Sequence, residues 1–292
     1  MSGVVIPLLI VAVLAGAAYG RDRDARHLAR RLWRIIYWVN LPFFPVLVAH
    51  APVHEVGPAM LAAFATLTLL VIVVELYAHR RFDDSAERAA FSLSATWPNT
   101  GWLGPPVVSA VLGAGALPTA LLYATAVSAP FNMLVNATLA AAHDRRHVLA
   151  ILRVSILRNH YLGPTLLGLV GALLEVDVPD RLLDAAEWVV VGGSIPAFFA
   201  FGLVLARTSL VPDEAVGAAL VIRLAVAPGL LFAVSRVVAV PDAFLIQAGM
   251  ATGMNVLVIS SEHRLPLHGL VSAIFWGTAI VLVGAGAYVL LA

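Results

Sequence analysis

Apolar residues gather into long runs along the chain, and short polar connections separate these runs. Runs of about 18 or more apolar residues are typical of helices that cross a membrane. We predict ten spans and number them in chain order, with bounds accurate to about two to four residues. The spans cover residues 3–20, 35–49, 57–78, 90–113, 115–142, 160–175, 185–206, 216–238, 243–260 and 266–291.

Composition supports an all-α membrane protein whose main partner is the lipid bilayer. Hydrophobic residues make up 61% of the chain and charged residues 12%, with a mean hydropathy of +0.94. Soluble proteins average about 25% charged residues. The net charge of +1 provides no basic field for nucleic acid. The absence of cysteine excludes disulfides and thiolate metal sites.

Arginine distribution predicts the orientation in the membrane. Of the 18 basic residues, all of them arginine, 15 lie in the connections on one side and two, Arg181 and Arg236, on the other. Cytoplasmic loops carry the excess of positive charge. We therefore expect the arginine-rich side to be cytoplasmic, and an even number of spans places both termini outside.

The chain divides into two similar halves, residues 1–142 and 160–292, joined by a cytoplasmic linker, 143–159. The halves open on "IPLLIVAVLAGA" and "GPTLLGLVGALL", and their second spans contain "NLPFFP" and "SIPAFF". Five spans per half invert the second half relative to the first, as in many secondary transporters. Chance similarity between apolar segments is the alternative. The linker suits an amphipathic helix on the membrane or a basic tether.

The fourth span contains a stretch that a continuous helix does not tolerate, "SATWPNTGWLGPPVVS". Pro98 disfavours helix before it, and Pro105 can begin a second half-helix. The ninth span, "QAGMATGMNVLVISS", has Gly249 and Gly253 but no proline. Interruption and close helix packing explain these glycines equally well.

Two interrupted helices that cross at mid-membrane would bring four half-helix ends together. Their freed backbone groups are tolerated only where protein or a watery cavity surrounds them, which predicts a polar site for a small solute. Half-helix N-termini would hold an anionic group. The candidate binding residues are Asn99, Thr100, Gly101, Gly104, Pro105, Thr252, Gly253 and Asn255, with Asn40 and Arg223 as accessory candidates. Arg223 either attracts an anion or extends to the cytoplasmic face.

These motifs resemble the auxin efflux carrier family, which includes plant carriers and prokaryotic transporters. "NTGWLGPPV" resembles the fourth-span motif of the family, and "ATGMN" aligns with its ninth-span pattern, in which Ala251 replaces the usual proline. The similarity extends nearly end to end. It implies a ten-helix carrier with crossed fourth and ninth helices, in the plasma membrane of a prokaryote. The long cytoplasmic loop of the plant members is missing, so auxin itself is not implied.

The sequence therefore predicts a secondary transporter of a small organic solute, an organic anion or carboxylate, that works by alternating access. A membrane receptor on the same fold and a cation–proton antiporter are the alternatives. The crossing lacks the Asp or Glu that an antiporter needs. We expect no enzyme activity, cofactor or metal, since "FDDSAE" has no second carboxylate cluster and no phosphate-binding loop occurs. A homodimer is compatible with the sequence.

Overall fold

The computed structural model describes residues 2–21, 25–132, 134, 162–206, 208 and 210–292. Within these ranges the chain is helical, and its β structure is limited to one isolated pair of bridged residues. Six of the described helices are long and apolar enough to cross a membrane, and two shorter apolar helices are Val4–Gly20 and Gly163–Leu173. The six are His27–Ala49, Val53–Arg81, Ala114–Asn132, Asp180–Leu205, Glu214–Val234 and Leu267–Leu291. The predicted all-α, multi-pass membrane protein is confirmed at this level.

The helices of the first half have no strand between them. They are α1 (Ser2–Gly20), α2 (Arg26–Asn40), α3 (Phe44–Ala49), α4 (Val53–Arg81), α5 (Ser85–Thr96), α6 (Gly104–Leu112) and α7 (Leu117–Leu122). A short 3₁₀ turn, Leu41–Phe43, joins α2 to α3, and a π-helical turn, Tyr123–Ser128, continues α7. The predicted linker 143–159 lies outside the described residues.

Eight further helices are described after the linker. They are α8 (Leu162–Leu173), α9 (Asp180–Gly192), α10 (Ser194–Leu205), α11 (Glu214–Val221), α12 (Ala227–Val234), α13 (Asp242–Ala248), α14 (Asn255–Glu262) and α15 (Leu267–Leu291). A π-helical turn, Ile222–Val226, joins α11 to α12.

The second span begins earlier than predicted. Helix α2 starts at Arg26, whereas the apolar run indicated residue 35. The extra turns read "RHLARRLWR", in which arginines alternate with apolar residues on a helical period. The indole of Trp33 donates to the carbonyl of Ala197 at 3.2 Å, so this amphipathic segment packs on α10. Mean hydropathy alone does not reveal this segment, because its arginines offset its apolar residues.

Close glycine contacts join the first helix of one half to the second span of the other. Helix α1 packs along α10, where a Cβ on Gly16 would overlap the carbonyl oxygen of Phe199. A Cβ on Gly202 would likewise overlap the carbonyl oxygen of Val13. Small residues allow two helix backbones to approach this closely in a membrane.

The reciprocal pair, α8 and α3, packs in the same way. A Cβ on Gly168 would lie 2.8 Å from the Cβ of Val48 and 3.0 Å from the Cα of Pro45. The outer faces of the long helices carry large apolar side chains instead, such as Leu61 on α4 and Val283 on α15, which are exposed. These faces suit contact with lipid.

Candidate functional site

The fourth span is interrupted where its prolines predicted. Helix α5 ends at Thr96 and α6 begins at Gly104. Pro105 occupies the first turn of α6, where a missing N–H costs no intrahelical bond. The segment between the half-helices is buried in protein except for Gly101, which is half-buried and has open space where a side chain would stand.

The segment predicted as the ninth span is also interrupted, although it has no proline. Helix α13 ends at Ala248 and α14 begins at Asn255. A Cβ on Gly253 would lie 2.8 Å from Cδ1 of Trp97 and 3.1 Å from the carbonyl oxygen of Pro98. The span is therefore broken, and Gly253 in addition permits a close approach to the other break.

The two breaks lie against each other and pair antiparallel through Pro98 and Thr252. The amide of Asn99 donates to the carbonyl of Ala251 at 2.6 Å, and the amide of Gly253 donates to the carbonyl of Trp97 at 2.9 Å. We call this paired segment, residues 97–103 and 249–254, the crossing. Its backbone ladder satisfies groups that an apolar surrounding would otherwise leave unpaired.

Polar side chains donate hydrogen bonds to further backbone carbonyls at and beside the crossing. The hydroxyl of Thr252 donates to the carbonyl of Ser94 at 2.7 Å. The amide nitrogen of Gln247 donates to the carbonyls of Thr100 at 3.3 Å and Ala120 at 3.1 Å. A Cβ on Gly104 would overlap this amide, so a larger residue there would displace the Gln247 side chain. Gln247 was not among the predicted site residues, although a glutamine within an apolar span indicates a buried amide that needs partners.

Arg223 contacts both interrupted spans. It is fully buried in the π-helical turn between α11 and α12. Its Nη1 donates to the carbonyl of Thr96 at 3.0 Å and its Nη2 donates to the carbonyl of Ala248. The expectation that its side chain extends to the cytoplasmic face is wrong, because the carbonyl ends of α5 and α13 hold the guanidinium inside the protein.

The N-terminus of α6 is a poor anion site, contrary to the expectation from helix polarity. The amide of Gly104 donates to the carbonyl of Asn99 at 3.1 Å, and that of Val107 donates to the carbonyl of Leu103 at 3.2 Å. The two prolines between them have no N–H. The N–H groups of the first turn, which a helix normally leaves unpaired, are therefore absent or occupied.

The two predicted asparagines have different surroundings. Asn99 is 3% exposed, and its amide nitrogen has no hydrogen-bond partner among the described residues. Asn255 is exposed at the first position of α14. Thr100 and Thr252 are buried, and the Thr100 hydroxyl lies 3.5 Å from that of Ser128. The crossing therefore offers a buried donor without a described partner at Asn99, and Asn255, just beyond the crossing, offers an accessible amide.

Asn40 lies at a different junction. It ends α2, and a Cβ on Gly193 would overlap its amide, so its side chain lies against the joint between α9 and α10. Asn40 is 1% exposed, and neither of its side-chain polar atoms has a partner within the described ranges. The structure gives it no contact with the paired backbone of the crossing that would support an accessory role there.

A cavity of about 260 Å³ is lined by Phe82, Asp213 and Pro266 in the connections between helices, and by Ser94 in the last turn of α5 before the crossing. We call it the vestibule. Its polar lining includes Glu87, Asp213, His268 and Ser94, whose carbonyl accepts the Thr252 hydroxyl. The carboxylate of Asp213 accepts from the amide of Val216 at 2.8 Å and so caps α11. This acid thus has a structural function in addition to lining the cavity.

No protein-family model and no curated protein matches the chain. The described helices define the class, an α-helical multi-pass membrane protein. Its distinguishing feature is a buried crossing of two interrupted helices.

Proposed function

We propose that the protein is a secondary transporter of a small organic solute, with a binding site at the crossing and alternating access to the two sides of the membrane. The observation that carries the proposal is the antiparallel pairing of two helix breaks inside an apolar protein. Interrupted helices of this kind form the solute and ion sites of many carriers. A protein that only crosses the membrane gains nothing from breaking two spans.

A ten-span topology is the arrangement that best accounts for the helices. The six long helices and two shorter apolar ones are supplemented by the two interrupted pairs, α5–α6 and α13–α14. Four spans would then separate the fourth from the ninth, so these two would run in opposite directions. The antiparallel bridge between their breaks is consistent with that count.

An inverted repeat of residues 1–142 and 160–292 is supported by the exchange of packing between the halves. Helix α1 packs on α10, and α8 packs on α3, so each first span contacts the second span of the other half. Both contacts use glycines. Symmetry of this kind places a solute site at the interface of the repeats, near the bilayer midplane.

A carboxylate is the solute group that best complements the crossing. The backbone carbonyls of Ser94, Thr96 and Thr100, in the crossing and in the last turn of α5, accept hydrogen bonds from protein donors. The buried amide nitrogen of Asn99, in contrast, has no described partner. A free donor favours a solute that accepts hydrogen bonds. Neither break contains Asp or Glu, which disfavours the cation–proton antiporter.

The vestibule is the proposed route between the crossing and the cytoplasm. It opens beside Phe82, Asp213 and Pro266, in connections that the arginine distribution assigns to the cytoplasmic side. With ten spans, both termini would lie outside, and the plasma membrane of a prokaryote is the proposed location. The cytoplasmic opening of the vestibule and the outside position of the termini both depend on the orientation that the 15 arginines on one side favour.

The test is flux through purified protein in liposomes. A panel of organic acids and their neutral amides should be offered with and without Na⁺ and proton gradients. We expect an acid to be transported in preference to its amide, because a carboxylate only accepts hydrogen bonds, whereas an amide also carries an NH₂ group that needs an acceptor. Saturable binding without flux would instead favour the receptor, and flux of Na⁺ against protons would favour the antiporter.

A further inference from the structure

The carbonyl ends of two half-helices converge on one guanidinium. Thr96 is the last residue of α5 and Ala248 the last of α13, and the carbonyl oxygen of each accepts a hydrogen bond from Arg223. The π-helical turn Ile222–Val226 places the arginine between them. Such turns commonly occur at functional positions in helices.

These two ends carry partial negative charge. Each helix C-terminus corresponds to about half an elementary charge. In carriers built on interrupted helices, half-helix C-termini and unwound carbonyls coordinate the coupling cation. A guanidinium stays protonated in proteins and presents several N–H groups in one plane, so a single arginine can bind both carbonyls.

We infer that Arg223 is a positioning residue whose guanidinium takes the place of a bound cation. It holds the ends of α5 and α13 together and leaves no place for a bound Na⁺ at these carbonyls. Its full burial and its two contacts support this function. Solute binding at the crossing would depend on it indirectly, through the position of the breaks. This consequence rests on the proposed transport function, whereas the inference itself concerns the geometry of the crossing.

Arg223→Gln tests the inference because it removes the charge and keeps a polar side chain, and Arg223→Lys keeps the charge. Arg80→Gln is the matched control, since Arg80 is exposed at the end of α4. The first readout is the melting temperature in detergent, in NaCl and in choline chloride at equal ionic strength. The second is the maleimide labelling rate of a cysteine introduced by Gly101→Cys, where a side chain meets open space.

We expect the parent protein and Arg80→Gln to melt at the same temperature in both salts. Arg223→Gln should melt several degrees lower in choline chloride, and NaCl should restore part of the loss because Na⁺ can enter the vacated position. Labelling at position 101 should become about tenfold faster, since the break opens more often when its contacts weaken. Arg223→Lys should be labelled more slowly than Arg223→Gln, because the charge remains, although an ammonium group cannot reproduce the planar contact with both carbonyls.

Two results would overturn the inference. One is stabilisation of the parent protein by Na⁺ relative to choline, and the other is parent-like melting and labelling of Arg223→Gln. If Arg223→Gln does not fold, Arg223→Lys tests whether the positive charge is needed. A lysine variant that also fails to fold would show that the charge does not determine the stability of the crossing and would contradict the inference. None of these measurements needs transport, so a negative flux assay would contradict the proposed function and leave this inference standing.

Discussion

Individual polar atoms at the crossing differ in whether the protein satisfies them. The amide nitrogen of Asn99 is buried without a described partner, whereas the amide nitrogen of Asn132 donates to the Ser128 hydroxyl at 2.9 Å. A donor that the protein leaves free costs stability, because burial removes it from water. Such a cost is reasonable where a solute supplies the missing partner.

Asn99→Ala should therefore weaken solute binding more than it weakens the fold. We expect the affinity for a transported organic acid to fall about tenfold or more, corresponding to about 1.5–3 kcal/mol for a hydrogen bond to a charged group. The melting temperature of the solute-free protein should change little. Binding is measured by isothermal titration and stability by thermal unfolding in detergent.

Asn132→Ala is the control, because it removes a buried amide that has a protein partner. It should lower the melting temperature by an amount equivalent to about 1 kcal/mol. If Asn99→Ala lowers the melting temperature as much and leaves affinity intact, Asn99 only supports the backbone.

Gly104 and Gln247 form a steric pair that a double-mutant cycle can measure. Gly104→Ala places a methyl group where the Gln247 amide lies, so it should destabilise the protein by about 1–3 kcal/mol. In a Gln247→Ala background the same change should be nearly neutral, which gives a coupling of similar size. Additive melting shifts would show that the amide moves aside at no cost.

At the scale of elements, local residues predicted the first break and tertiary contacts determined the second. Pro98 and Pro105 forbid a continuous helix by themselves, so the sequence was sufficient there. Gly249 and Gly253 only permit a break. What fixes it is the ladder to Trp97 and Asn99, which are more than 150 residues away in the chain.

The same limit explains why the contacts of Arg223 and Gln247 could not be predicted. Their acceptors, such as Thr96 and Ala120, are 127 residues away along the sequence in each case. A hydropathy pattern reports which residues are buried, and it does not report which carbonyls they meet. The eight candidate residues at the breaks followed from local chemistry, whereas the side chains that hold the breaks did not.

The packing of α1 on α10 gives a prediction for a pair of helices. Gly202→Ala should lower stability by about 1–3 kcal/mol, because the added methyl overlaps the carbonyl of Val13 and forces the backbones apart. Thermal unfolding in detergent measures the change.

Gly284→Ala is the matched substitution, since nothing lies within 4 Å of the added methyl on α15. It should leave stability unchanged or slightly raised, as alanine favours helix over glycine. If both variants lose the same stability, the cause is the detergent or helix propensity. The prediction that α1 and α10 need a close approach at Gly202 would then be wrong.

At the scale of the whole molecule, the orientation can be tested with single cysteines, because the native chain has none. Asp83→Cys probes the connection between α4 and α5, Asp177→Cys the one between α8 and α9, and Arg236→Cys the one between α12 and α13. All three residues are exposed. The arginine asymmetry places position 83 in the cytoplasm and positions 177 and 236 outside. An impermeant maleimide applied to intact cells should label positions 177 and 236, and should label position 83 only after permeabilisation.

Labelling of position 83 alone would invert the orientation and make the vestibule face outward. Labelling of positions 83 and 236 together would require an even number of crossings between them, which is incompatible with opposite directions for the two interrupted spans.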